Sequence, residues 1–275
     1  MLQEMEEHGR QHVLLFRPKK DMPYHERLNP KRVRKALMDR GFSHVLDSLP
    51  STETPGEVTL THLRFEDGAL VFKALEAKEA YVRIQTIPFD EGREIRFEQL
   101  NRQRRAKLAR LHLDGLLEVR LSTLNSSRSD HSYAREAEAF LKTFNWLVEP
   151  SWFDPASLKT FKARVWNRPR NDGVQVLNQE IDSDGGGRVK LSAHDRTTDA
   201  AEDQGLQASK SAVLARDGSS LGKTEVRWEG QADRRPYSDV TIRVTREPNE
   251  FAVGQASTKA DYDHVFDAIR KLGRL

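Results

Sequence analysis

The sequence contains no cysteine, which excludes disulfide bonds, thiolate metal sites and cysteine nucleophiles. It also has no apolar run near the ~18 residues that a membrane-spanning helix needs. The first residues, MLQEMEEHGRQ, are acidic and polar, whereas a secretory leader is basic and then apolar. We therefore expect a soluble, cytoplasmic protein that has no membrane partner.

An excess of one charge is also missing. The chain has 45 basic and 42 acidic residues, a formal net charge of +3, so its bulk charge does not indicate a nucleic-acid partner. The placement of the cations is uneven, however, and three segments are locally basic. They contain Arg27, Lys31, Arg32, Arg34, Lys35 and Arg40; Arg93, Arg96, Arg102, Arg104, Arg105, Lys107 and Arg110; and Lys159, Lys162, Arg164, Arg168 and Arg170.

At 275 residues the chain is long for one hydrophobic core and natural for two. The order of patterns predicts an α+β protein of two similar halves, residues 1–150 and 151–275. Each half is expected to consist of a helix, about five antiparallel strands and a closing helix. Unrelated adjacent domains are the alternative.

The first half opens with an apolar strand at residues 12–16. Asn29 and Pro30 are typical of an N-cap and first helical position, and Gly41 of a helix end. Strands are predicted at residues 58–65, 70–75, 80–89, 93–100 and 116–121, with a hairpin turn at residues 66–68. Residues 101–113 fit either a basic helix or an extended strand. A helix is expected to begin at Asp130.

The second half repeats the Asx-Pro start at Asp154 and Pro155, which predicts a helix capped by Asp154. Strands are predicted at residues 174–181, 188–193, 209–215, 224–229, 239–246 and 250–256. A polar loop is expected at residues 193–205. The final helix is expected to begin at Asp261.

This repeated order of helix, antiparallel strands and helix, between Leu28 and Leu272, resembles the saddle of the TATA-box-binding protein. Similar duplicated sheets occur in a bacterial recombination-associated DNA-binding protein and in inner-kinetochore subunits. The resemblance implies a curved antiparallel sheet as a contact surface. It rests on element order without a shared motif, so no functional residue is carried over from it.

Clustered Lys and Arg neutralise phosphates together, which supplies most of the sequence-independent affinity for nucleic acid. The basic segments are therefore the candidate nucleic-acid-binding site, and the alternatives are a solvated face or a contact for an acidic protein. The candidate residues are Lys31, Arg32, Arg34, Lys35, Arg102, Arg104, Arg105, Lys107, Arg110, Lys162 and Arg164.

The segment Asp182-Ser183-Asp184-Gly185-Gly186-Gly187 alternates carboxylates before glycines, as cation-binding loops do, but the other ligands of such a loop are missing. A glycine-rich hairpin explains it fully. A metal-dependent hydrolase using Asp182, Asp184, His194 and Asp195 would need these groups to converge in space. We expect no metal site, no cofactor and no catalytic residues.

The leading hypothesis is a non-enzymatic protein that binds nucleic acid or assembles with it. The second is a protein-interaction subunit of a multicomponent complex, in which basic faces meet acidic partners and strand edges pair. The third is the metal-dependent hydrolase.

Overall fold

The computed structural model describes residues 6–48, 51–89, 93–125, 132–168, 173–183, 186–195, 198–216 and 218–275. Five α-helices are assigned among these residues beyond the first turn at residues 6–8: α1 (Pro30–Asp39), α2 (Tyr133–Thr143), α3 (Lys159–Trp166), α4 (Gln204–Leu214) and α5 (Lys259–Gly273). Short 3-10 helices lie at Tyr24–Leu28, Ser43–Val45 and Pro150–Trp152.

Eleven strands accompany the helices in the described residues. They are β1 (Gln11–Pro18), β2 (Thr59–Glu66), β3 (Ala69–Pro88), β4 (Glu94–Leu111), β5 (Leu117–Ser122), β6 (Phe153–Pro155), β7 (Val174–Asp182), β8 (Arg188–Ser192), β9 (Ser220–Trp228), β10 (Val240–Val244) and β11 (Glu250–Val253). The predicted α+β class with antiparallel strands is confirmed.

The chain divides into two compact units. Pro18–Phe153 form one, which we call the ribbon unit, and residues 6–17 together with Asp154–Leu275 form the other, the split unit. The predicted division at residue 150 lies close to this boundary, but the first strand belongs with the second part of the chain. The equivalence of two duplicated halves stays a prediction.

Within the ribbon unit the strands are ordered β2-β3-β4-β5, and every neighbouring pair is antiparallel. Three aromatic rings join this sheet to α2: Phe72 lies 5.6 Å from Phe140 and 6.1 Å from Phe144, between ring centroids. All three side chains are buried. Burial of such large apolar surfaces is the main force that holds the helix on the sheet.

Within the split unit the order is β1-β11-β10-β9-β7-β8, again antiparallel throughout. Helices α3 and α5 pack against each other. Phe161 of α3 stacks at 6.5 Å on Trp228 of β9, and Tyr262 stacks at 5.8 Å on Phe266 within α5. These buried rings mark the core of the split unit.

The sequence patterns placed most elements correctly where local chemistry defines them. The turn between β2 and β3 is of the expected kind, since Asp67 and Gly68 both have positive φ, 51° and 77°. Residues 101–113, which fitted a helix or a strand, are extended in β4 as far as Leu111. The predicted helix start at Asp130 lies outside the described residues, and Ser132 caps α2.

Two predictions in the split unit are wrong. Residues 209–214 belong to α4, with Ala215 as its C-cap, and do not form a strand, because the Asp203 side chain accepts a hydrogen bond from the Leu206 N–H at 2.9 Å and caps a run of helix-forming residues. Asp154 and Pro155 do not begin a helix, since they lie in β6 and the Ala156 N–H donates to the Leu15 carbonyl at 2.9 Å. Helix α3 begins later, at Lys159.

No helix of the described residues is both long enough and apolar enough to cross a bilayer.

Candidate nucleic-acid interface

Helix α1 carries four exposed residues of the predicted basic set, Lys31, Arg32, Arg34 and Lys35. The Asn29 side chain accepts a hydrogen bond from the Lys31 N–H at 3.0 Å, and Pro30 occupies the first helical position. Val33 and Leu37 are buried. The helix ends before Gly41, whose φ of +75° suits the left-handed position after a helix.

The opposite side of α1 is a cationic face, which we define as Lys31, Arg34 and Lys35. All three side chains are exposed, and the first turn contains no acidic residue. Lys31 lies three and four residues before Arg34 and Lys35, a spacing at which like charges destabilise a helix by about 0.2–0.5 kcal/mol per pair. In the described ranges no carboxylate forms an ion pair with these three residues.

Arg32 lies beside this face and is paired. Its guanidinium is 2.5 Å from the Glu26 carboxylate, and both side chains are exposed. Exposed ion pairs of this kind contribute little to stability, so another anion can readily replace the carboxylate. Arg32 therefore remains accessible to an anionic ligand.

Aromatic residues lie at the C-terminal end of α1. The Arg40 guanidinium is 5.1 Å from the Trp146 ring centroid, and Phe42 stacks on Trp146 at 5.8 Å. Arg27 donates to the Trp146 carbonyl at 3.0 Å. These contacts fix the helix end and already occupy the indole, so Trp146 is engaged in packing.

The basic residues of β4 have different surroundings from those of α1. Arg102 is exposed. Arg104 donates to the carbonyls of Ser51 at 2.5 Å and Thr52 at 3.1 Å, and thereby holds the segment before β2. Arg110 lies 3.9 Å from Asp67.

Arg105 and Lys107 lie in a buried ionic cluster with two glutamates. Arg105 is 2.6 Å from Glu136 of α2, and Lys107 is 3.1 Å from Glu136 and 3.0 Å from Glu76. The Arg105 side chain is only 1% exposed. These two cations are therefore matched by internal carboxylates, and their burial separates them from a phosphate at the surface.

The ionic cluster controls the ionisation of Glu136. Burial alone would raise the pKa of Glu136, but the nearby Arg105 and Lys107 outweigh burial and lower this pKa to about 2. Glu136 is consequently ionised at neutral pH and ties α2 to the sheet.

The predicted basic residues of the split unit form no comparable face. Lys162 is buried, donates to the Thr245 carbonyl at 2.7 Å, and has its pKa lowered to about 8 by burial. Arg164 is half-buried. Arg168 is bonded to Asp199, and Arg170 lies outside the described residues.

In the described part of the candidate cation loop, arginine side chains contact the carboxylate. Asp182 accepts hydrogen bonds from Arg246 at 3.1 Å and from Arg188 at 3.3 Å, and the bond from Arg246 is the main cause of its lowered pKa. Asp184 and Gly185 lie outside the described residues. Among the described residues no three His, Asp or Glu side chains converge as metal ligands, and His194 and Asp195 are exposed.

The sequence did not reveal one prominent feature, a two-stranded ribbon formed by the far ends of β3 and β4. We define the ribbon as residues 81–88 and 94–100. Its side chains are exposed except for Val82, which is half-buried, and the exposed ones include Ile84 at 62%, Phe89 beside its tip at 57% and Phe97 at 43%. At about 3.4 Å per residue, the ribbon extends about 27 Å.

A signal for the ribbon is present in the sequence. Residues 69–87 contain neither glycine nor proline, and neither do residues 93–113. The strands predicted separately at residues 70–75 and 80–89 thus had no turn chemistry between them, and they are one strand.

No protein-family model, no curated protein and no solved structure matches this chain. The resemblance to a duplicated saddle remains a prediction.

Proposed function

We propose that this protein binds nucleic acid, or assembles with it, without catalysing a reaction, and that the cationic face of α1 is its principal contact. The observation that carries the proposal is the set of Lys31, Arg34 and Lys35, exposed on one helix face and without carboxylate partners in the described ranges. Such a face costs helix stability, and bound phosphates would offset that cost.

The chemistry of this face suits phosphate. Lysine ammonium groups act as point charges, and an arginine guanidinium can donate two parallel hydrogen bonds to phosphate oxygens. Arg32 extends the face on one side, and Arg102 is a further exposed cation of the ribbon unit. Contacts of this kind position a protein on the backbone and carry no base information, so binding should be largely independent of sequence.

A binding test separates the local face from bulk charge. The variant Lys31→Glu/Arg34→Glu/Lys35→Glu is compared with Lys190→Glu/Arg216→Glu/Lys271→Glu, which changes the net charge equally at exposed, scattered positions of the split unit. Mixed-sequence duplex and single-stranded DNA and RNA are titrated at about 50 mM salt. We expect the α1 variant to bind at least about tenfold more weakly and the scattered variant to bind nearly as the wild type does.

The substitutions themselves should not unfold the helix, since glutamate has a helix propensity close to those of lysine and arginine, and at position 31 it lies in the first turn, where it interacts favourably with the helix dipole. Equal thermal midpoints of the three proteins check this. Equal losses of affinity in both variants would show that the face has no special role.

The second candidate is an acidic protein partner at the same face, in a multicomponent complex. A cationic surface also steers and orients acidic proteins. If the wild-type protein binds none of the nucleic acids at low salt but retains stoichiometric acidic proteins that the α1 variant loses, this second function replaces the first.

A further inference from the structure

The two faces of the ribbon differ in polarity. Cross-strand partners share a face, so the pairs Gln85–Phe97 and Ile87–Ile95 place Phe97, Ile87 and Ile95 together. The other face carries the pairs Arg83–Glu98, Thr86–Arg96 and Pro88–Glu94. One face is therefore apolar toward the tip, and the other is charged there, with the pair Tyr81–Leu100 at its base.

The outer edges of the ribbon lack a strand partner among the described residues. Strand β2 pairs with β3 only as far as Leu75, and β5 pairs with β4 only from Lys107. An exposed strand edge is a template for pairing with another chain. The β3 edge ends in Pro88, which has no N–H to donate, whereas residues 94–100 of β4 contain no proline.

The charges along the β4 edge alternate on one face as Glu94, Arg96 and Glu98. Arg96 lies 3.2 Å from Glu94 of its own strand, an exposed pair of the kind that contributes little to stability. If two copies of this strand pair antiparallel about a twofold axis at Phe97, residue numbers of partners sum to 194. Arg96 then lies opposite Glu98 of the second copy, and the same pair forms twice. Phe97 faces its own counterpart on the apolar face.

Neighbouring registers that keep the two faces separate are less favourable. An axis at Arg96 places Arg96 against itself and Glu94 against Glu98, and an axis at Glu98 places Glu98 against itself. Like charges directly opposite each other destabilise a sheet. A slip by one residue would set the apolar face of one copy beside the charged face of the other.

We propose that the protein self-associates through the β4 edge of its ribbon, with a second copy of the same chain paired antiparallel about Phe97. The alternating charges of one strand are complementary to the same strand read in reverse, which is the argument for a second copy over a foreign chain. This association is independent of the proposed nucleic-acid contact on α1. A strand-edge contact of this length is small, so its dissociation constant should be of micromolar order.

Two charge-reversed chains test the register. In Arg96→Glu alone, both inter-copy pairs become carboxylate against carboxylate, and in Glu98→Arg alone both become guanidinium against guanidinium. In a mixture of the two chains, each pair is again of opposite sign. We expect each variant alone to self-associate at least about tenfold more weakly than the wild type and the equimolar mixture to recover wild-type affinity.

Sedimentation velocity without nucleic acid, over about 1 to 100 µM protein, measures these affinities. Matching circular dichroism melts establish that the variants fold. Lys190→Glu is the control, an exposed reversal outside the ribbon that should not change self-association. A wild-type chain that stays monomeric throughout, or a mixture no tighter than its separate components, overturns the proposal.

The absence of cysteine allows an independent check of the register. A mixture of Ile95→Cys and Gln99→Cys chains should give a disulfide-linked heterodimer on mild oxidation, because positions 95 and 99 lie opposite each other. Either chain alone should crosslink far less. Equal crosslinking in all three samples contradicts the proposed pairing.

Discussion

At the scale of single residues, the basic residues of β4 show why sequence position alone is a poor guide to a binding surface. Arg105 and Lys107 follow Arg102 and Arg104 in one dense run, yet their side chains are buried while Arg102 is exposed. Their carboxylate partners are distant in sequence: Glu76 lies opposite Arg105 in the strand register, and Glu136 belongs to α2. Only the sheet register and the packing of α2 on the sheet reveal that these charges are already balanced.

Removal of one carboxylate from the buried ionic cluster should lower the free energy of unfolding. Glu136→Gln leaves Arg105 and Lys107 with Glu76 as their remaining carboxylate in the cluster, and we expect the free energy of unfolding to fall by about 3 kcal/mol at pH 7. Glu138→Gln on the same helix is the control, because Glu138 is exposed and its carboxylate lies 2.7 Å from the exposed Lys142. Urea denaturation of both variants and the wild type measures the difference.

The difference in stability between the wild type and Glu136→Gln should depend on pH. The folded pKa of Glu136, about 2, lies below the ordinary value of 4.5, so its stabilising contribution is present above pH 4.5 and is lost as pH falls toward 2. The difference in the free energy of unfolding between wild type and Glu136→Gln should therefore decrease from pH 7 to pH 3. A gap that stays constant would show that the charge of Glu136 is not the source of the stability.

Lys210 in α4 presents the opposite case, a buried cation without a carboxylate in the described part of the chain. Its ammonium lies 4.4 Å from the Trp166 ring centroid, and burial lowers its pKa to about 8. The unfolded chain then binds more protons between pH 8 and pH 10.5, so stability should rise with pH over that window.

Lys210→Met keeps the contact with Trp166 and removes the buried charge. We expect its thermal midpoint to exceed that of the wild type by about 2 to 4 °C at pH 7, and this gain to shrink toward pH 10.5. Exposed Lys190→Met should leave the midpoint unchanged at both pH values. A lower midpoint for Lys210→Met at pH 7 would mean that the cation stabilises this site through the indole.

At the scale of elements, the features fixed by local chemistry were predictable and those fixed by distant partners were not. The Asn29 cap, the Pro30 start and the Asp67-Gly68 turn each act within a few residues, and the structure has all three. The Asx-Pro signal at Asp154 failed because the backbone there pairs with Leu15, which is far away in sequence. The strands of the ribbon were predicted at residues 80–89 and 93–100, but their continuity with the strands of the sheet was not, because that continuity depends on the long register between β3 and β4.

The exposure of the ribbon predicts that it is dispensable for folding. Replacement of residues 81–100 by Asn-Gly joins the cross-strand partners Ala80 and Asn101 with a two-residue hairpin turn. We expect the thermal midpoint to change by no more than a few degrees while concentration-dependent self-association is lost. Arg96→Glu in the full-length chain is the matched control, since it should lose association with the ribbon intact.

At the scale of the whole molecule, a net charge of +3 conceals a strong local difference. The cationic face of α1 has three exposed cations, whereas the buried basic residues of β4 and α3 make internal contacts. Affinity for a polyanion should therefore depend on where a charge is changed more than on how many charges are changed. This dependence is the main claim about function, and it has a direct thermodynamic signature.

The most direct test is the dependence of duplex-DNA affinity on salt, measured by fluorescence anisotropy from about 50 to 200 mM salt. Each lost phosphate contact should reduce the slope of log affinity against log salt by about 0.9, so Lys31→Glu/Arg34→Glu/Lys35→Glu should reduce it by about 2.7 or more. The scattered variant Lys190→Glu/Arg216→Glu/Lys271→Glu should keep the wild-type slope. A wild-type protein that does not bind at 50 mM salt, or equal slopes for the α1 variant and the wild type, would contradict the account.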